Sequence, residues 1–137
     1  MFAKFSKPTM PKSPLISLTC AALATSFLHA QEGGEKITYN DHIRPLLENK
    51  CFSCHNPDKK KGDLDLTSFA GVMTGGGGGA VVDPGNVDGS RIWTTCVKKE
   101  EPFMPPEGAP LSPKDCDLLA AWVKGGVLET KSSIAKK

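Results

Sequence analysis

Cys51, Phe52, Ser53, Cys54 and His55 form a C-x-x-C-H pentapeptide. Cysteines three residues apart on a helical turn point the same way, so both thiols can reach the two vinyl groups of one porphyrin, and the next residue offers its imidazole to the iron. The spacing is the attachment motif of c-type haem. Two other chemistries use similar residues. A thioredoxin-like C-x-x-C wants a strand before it and a βαβ neighbourhood, and neither pattern is present here. A zinc site wants two closely spaced cysteine pairs, whereas Cys96 and Cys116 stand far apart in the chain. The expected cofactor is one covalently bound haem c with its iron.

Iron held by His55 on one side needs a second ligand on the other, and Met73, Met104 and His42 are the candidates beyond residue 30. Met104 is favoured. It sits in Phe103-Met104-Pro105-Pro106, where two prolines fix φ and remove donors, giving a stiff extended loop able to hold a thioether sulfur. Met73 abuts the run Gly75 to Gly79 and reads as a packed apolar residue, and His42 precedes the motif in its own helix and reads as a surface or supporting histidine. The expected site is therefore Cys51, Cys54, His55 and Met104, with His55 and Met104 as the metal ligands. Cys96 and Cys116 are an even pair that reads either as a disulfide or as two buried free thiols. Gly75 to Ala80 formally fits a dinucleotide-binding glycine pattern, but no strand precedes it, and nucleotide binding is rejected. Lys59 to Lys61 read as a solvated loop or a docking patch.

The elements that position these residues are helical. Ile43, Leu46 and Leu47 recur at helical spacing between Tyr39 and Lys50, with Asn40 as the expected cap and Pro45 either beginning or kinking the helix. A short helix is expected over Leu66 to Met73, stopped at Gly75, and another after Ser90, which serves as its expected cap, with Ile92, Trp93, Cys96 and Val97 recurring at helical spacing. Residues Pro102 to Pro110 cannot be helical. The clearest helix begins with Ser112 as cap, Pro113 in the first turn and Asp115 three after the cap, and stops at Gly125-Gly126. With no alternating strand pattern, the expected class is all-α, three to four short helices and long loops.

The remaining sequence sets the context. Residues 1–30 hold Lys4, Lys7 and Lys12, no acidic residue, an apolar run from Leu15 to Leu28 and small residues at Ala30, the layout of a secretory signal peptide cleaved after Ala30. The run is short and interrupted, so membrane attachment is expected only if the leader is retained. Removing it takes three lysines and turns the net charge of +2 into −1, which disfavours nucleic-acid binding. The expected layout is a leader over 1–30, a flexible lead-in over 31–38, one domain over 39–128 and a disordered tail over 129–137. Only six aromatic residues lie beyond residue 30. So small a domain needs a metal, disulfide or cofactor to complete its core.

Taken together, Ile43-Arg44-Pro45-Leu46-Leu47, Cys51 to His55, Gly62-Asp63-Leu64-Asp65-Leu66, the glycine run, Pro84-Gly85 with Ser90, Met104-Pro105-Pro106, and Leu111 followed by Trp122 and Gly125 resemble the small planctomycete cytochrome c domain of secreted proteins. The resemblance implies a class I cytochrome c fold with the haem axially held by His55 and Met104. Val87, Asp83, Cys96 and Cys116 depart from the usual pattern. The expected function is a periplasmic or secreted mono-haem electron carrier, not an enzyme, meeting redox partner proteins and binding no small-molecule substrate. The alternatives are a haem module with an open sixth site, acting as enzyme or gas sensor, and a haem-bearing interaction domain of a larger secreted assembly.

Overall fold

The computed structural model describes residues 34–136. The leader expected over 1–30 lies outside the described residues. Four α-helices, α1 (Arg44–Lys50), α2 (Phe69–Thr74), α3 (Arg91–Thr94) and α4 (Pro113–Lys124), are joined by long loops, with no strand among the described residues. The all-α expectation holds.

A π-helical turn over Tyr39–Ile43 leads into α1. Pro45 lies in the first turn of α1, where its missing N–H removes no internal bond, so it begins the regular helix without kinking it. Thr38, not Asn40, is the cap: its hydroxyl accepts from the Asp41 amide at 3.2 Å while Asn40 is exposed. Both residue types suit the role. Burial of Thr38 against the chain end decided between them, because the neighbouring Tyr39 amide donates to Leu128 O at 2.8 Å.

Helix α4 follows its sequence signals closely. Ser112 and Asp115 form a reciprocal capping box. At the other end Gly126 takes φ +88°, and the Gly126 and Val127 amides return to Val123 O and Trp122 O, a Schellman closure that needs glycine at the left-handed position. Leu119, Trp122 and Val123 are fully buried on its inner face. Trp122 donates to Leu128 O at 2.9 Å and lies 6.2 Å from the Tyr39 ring, whose hydroxyl donates to Leu66 O. The start and end of the domain thereby close on each other.

Three local expectations are corrected. Helix α3 is only one turn long, because the chain passes through a left-handed Lys98 and folds back, the Lys99 amide donating to Thr94 O. Ser90 precedes it but does not cap it; its buried hydroxyl accepts from the Asp83 amide and donates to Asn86 O, tying the 83–90 loop. Residues 129–136, expected as a disordered tail, run back along Gly126, with the Lys136 amide on Gly126 O at 3.0 Å and its ammonium 5.3 Å from the Phe69 ring centroid. The polar composition of this segment gave no sign of it.

Candidate functional site

The pentapeptide continues directly from α1. The Cys51 and Phe52 amides donate to Leu47 O, and those of Cys54 and His55 donate to Cys51 O, so residues 51–55 form a helical turn that puts both thiols at one cleft. The next residues anchor that turn. Asn56 accepts from the Asp58 and Lys59 amides and donates to Phe52 O, while His55 O receives the Leu66 amide. Lys59 donates to Ser53 O, which makes it part of this loop's framework.

The cleft holds about 380 Å³, within the range of small-molecule and cofactor sites. Leu47, Leu66, Val81, Ile92 and Leu119 supply its apolar side. Met104, Pro105 and Pro106 supply another wall, and the Met104 amide is pinned to Thr95 O at 3.1 Å. All four expected site residues, Cys51, Cys54, His55 and Met104, therefore border one cavity, although Met104 is almost fifty positions beyond His55 in the chain. Met73 is not on the cleft and packs half-buried against the core. His42 is not there either: its Nδ1 accepts from the Thr38 amide at 3.1 Å and its Nε2 lies 3.8 Å from Glu35.

Three groups reach the cleft that the sequence did not single out for it. The glycine run forms a tight turn, Gly76 and Gly79 exchanging amide bonds of 3.0 and 2.8 Å, and its bare backbone is one wall. A Cβ on Gly76 would stand 2.5 Å from Gly62 O, so the close approach of the two loops requires glycine. Arg91 also borders the cleft, and so does Cys96. No periodicity or motif marked either as cleft-lining. Cys96 and Cys116 are free thiols, Cys96 buried and Cys116 only half-buried.

Burial governs the titration of this region. It pushes the Cys51 thiol up to about 12, with Cys96 and Cys54 adding smaller effects in the same direction. Cys96 rises to about 11 and Tyr39 to about 12, again chiefly by burial. A folded group that keeps its proton to higher pH than the unfolded chain destabilises the fold once the unfolded group ionises. Stability is thus present below pH 9 and falls as the pH rises through 9 to 12. For Cys96 the two-unit rise corresponds to on the order of 3 kcal/mol. Thermal melts at pH 8 and pH 11 are expected to show this loss, with Cys96→Ala and Tyr39→Phe each reducing it.

One buried polar atom of a residue that lines the cleft lacks a partner. His55 Nδ1 is buried and makes no hydrogen bond, alone in this among the buried side-chain nitrogens and oxygens of the described residues. Such an atom is costly to leave unpaired, and it marks a ring placed for something other than the protein's own groups. Two thiols one turn apart, an adjoining imidazole, a thioether on another wall and an apolar cavity between them fit haem c. Among the described residues no group of three or more His, Cys, Asp or Glu side chains gathers to hold a bare metal ion. No helix among them is long and apolar enough to cross a membrane.

No curated protein and no solved structure matches the chain. Residues 51–108, from the first thiol through the loop that carries Met104, match the family model described as Planctomycete cytochrome C, which supports a planctomycete-type cytochrome domain in that part of the chain.

Proposed function

We propose that this protein is a mono-haem c-type cytochrome that carries single electrons between redox proteins in the periplasm or outside the cell. The observation that carries the reading is the half-buried His55 ring, its buried Nδ1 without a partner, on a cleft that also takes in Cys51, Cys54 and Met104. Each thiol would add its S–H across one vinyl C=C: the sulfur–carbon bond forms, the π bond breaks, and the hydrogen goes to the neighbouring carbon. His55 and Met104 are the side chains that would hold the haem iron. When bound, the haem supplies reversible one-electron chemistry, and a thioether ligand favours the reduced state more than a second imidazole does.

The protein's part is to hold these ligands still and keep water out. Met104 is fixed by its amide bond to Thr95 and by the prolines that follow it. Were His55 and Met104 both to hold the iron, no place would be left for a substrate there, and electron transfer is the role assigned on that reading. A class I cytochrome c arrangement, with loops 62–66, 75–82 and 102–110 around the haem, accords with the cleft lining. Cytochrome domains of this kind work outside the cytoplasm, in keeping with the leader read in residues 1–30.

Intact mass and the visible spectrum of the exported protein test the proposal together. The expected mass is that of residues 31–137 plus one haem, with a spectrum that sharpens on reduction. Colourless material, or pigment removed by acidified organic solvent, overturns it.

A further inference from the structure

The thiols and axial ligands leave the charged part of the cleft unused. Lys50 at the end of α1, Lys61 in the loop after the pentapeptide and Arg91 of α3 border it, against one carboxylate, Glu107 of the proline loop. Asp63 stands at the outer side of the glycine turn, beside Gly77. The cations outnumber the acids that face the cavity.

Arg91 differs from the two lysines in being fixed. Its Nε donates to Glu100 Oε1 at 2.9 Å, and Glu100 Oε2 accepts from the Thr94 hydroxyl at 2.7 Å. The carboxylate is thus held at both oxygens and grips one edge of the guanidinium. Arg91 makes no other side-chain hydrogen bond among the described residues, so its two terminal nitrogens are free. One of them, Nη1, lies against Gly78, where a Cβ would collide with it. The glycine turn and the guanidinium therefore meet at the cleft wall, and the side chain is only 34% exposed.

A half-buried guanidinium pinned along one edge and open along the other is arranged to take a second carboxylate, for which its planar fork is suited. Haem carries two propionate carboxylates, and placing either beside apolar walls is costly unless a cation pairs with it. We propose that Arg91 binds a haem propionate through its terminal nitrogens, with Glu100 as the positioning residue that fixes the guanidinium. This assignment rests on the haem reading above. It makes α3 and the glycine turn the end of the cleft that receives the polar edge of the porphyrin.

The test compares matured wild type, Arg91→Gln, Arg91→Lys and Glu100→Gln by intact mass, resonance Raman of the propionate-bending band, and midpoint potential. Arg91→Gln is expected to shift the band and lower the potential, because losing a nearby cation favours the more positive oxidised iron. Arg91→Lys restores the potential but not the band, since it returns the charge without the fork. Glu100→Gln shifts the band in the same direction by a smaller amount. A haem-loaded Arg91→Gln protein with the wild-type band overturns the assignment and leaves the haem reading intact, whereas wild type without haem overturns both. If Arg91→Gln does not mature, an unchanged band in Glu100→Gln overturns it.

Discussion

Met104→Ala is expected to abolish the iron–sulfur charge-transfer absorption of the oxidised protein and to open the metal to cyanide and carbon monoxide. The side chain borders the cleft with its amide anchored to Thr95 O at 3.1 Å, and Met73 packs elsewhere against the core. Among the described residues no other methionine borders the cleft. Loss of the sulfur also lowers the midpoint potential, since thioether ligation favours the reduced iron. Every tenfold change in that preference is about 59 mV for one electron, and a fall of more than one such step is expected. Spectroelectrochemistry and mixing with cyanide check both parts. A Met104→Ala protein that retains the absorption band and excludes cyanide removes Met104 from the site. It would also favour an arrangement in which another group occupies the sixth position.

The double substitution Cys51→Ala with Cys54→Ala is expected to have the larger effect on stability. Without thioethers any haem is held only by its axial ligands and apolar contacts, and acidified organic solvent should extract it. The cleft of about 380 Å³ then opens to water beside Leu47, Leu66, Ile92 and Leu119. A domain of this size has only about 5–15 kcal/mol of total stability, and each apolar side chain that loses cover forfeits on the order of 1.5–3 kcal/mol. The expected outcome is a broad, low-temperature melt in place of a cooperative one, seen by circular dichroism. A variant that melts as the wild type does, with its pigment unextractable, would show that the two thiols do not carry the attachment.

Much of this architecture was legible from local chemistry. The pentapeptide turn, the Ser112–Asp115 capping box, the glycine closure of α4 and the Gly75 stop of α2 all depend on residues within a few positions of one another. Short-range hydrogen bonding and backbone freedom dictate such features, so residue type and spacing suffice to read them. Met104 was legible for a related reason: the prolines beside it stiffen the loop whatever lies opposite. Asn40 and Ser90 show where this ends. Each is a good cap by type, yet burial of Thr38 beside Leu128 and the tie from Ser90 to Asp83 and Asn86 gave both positions other roles.

The sequence by itself determined the turn that carries Cys51, Cys54 and His55, the helical class and the ends of the longest helix, because those follow from groups adjacent along the chain. Only the tertiary structure decided which cations border the cleft, that Cys96 borders it as well, and that residues 129–136 fold back on Gly126. Arg91 is nine residues from the Glu100 that orients it and lies against Gly78 on another loop. Such placements come from how separate loops pack around a shared cavity, and packing between distant segments leaves no local signature in residue type or period.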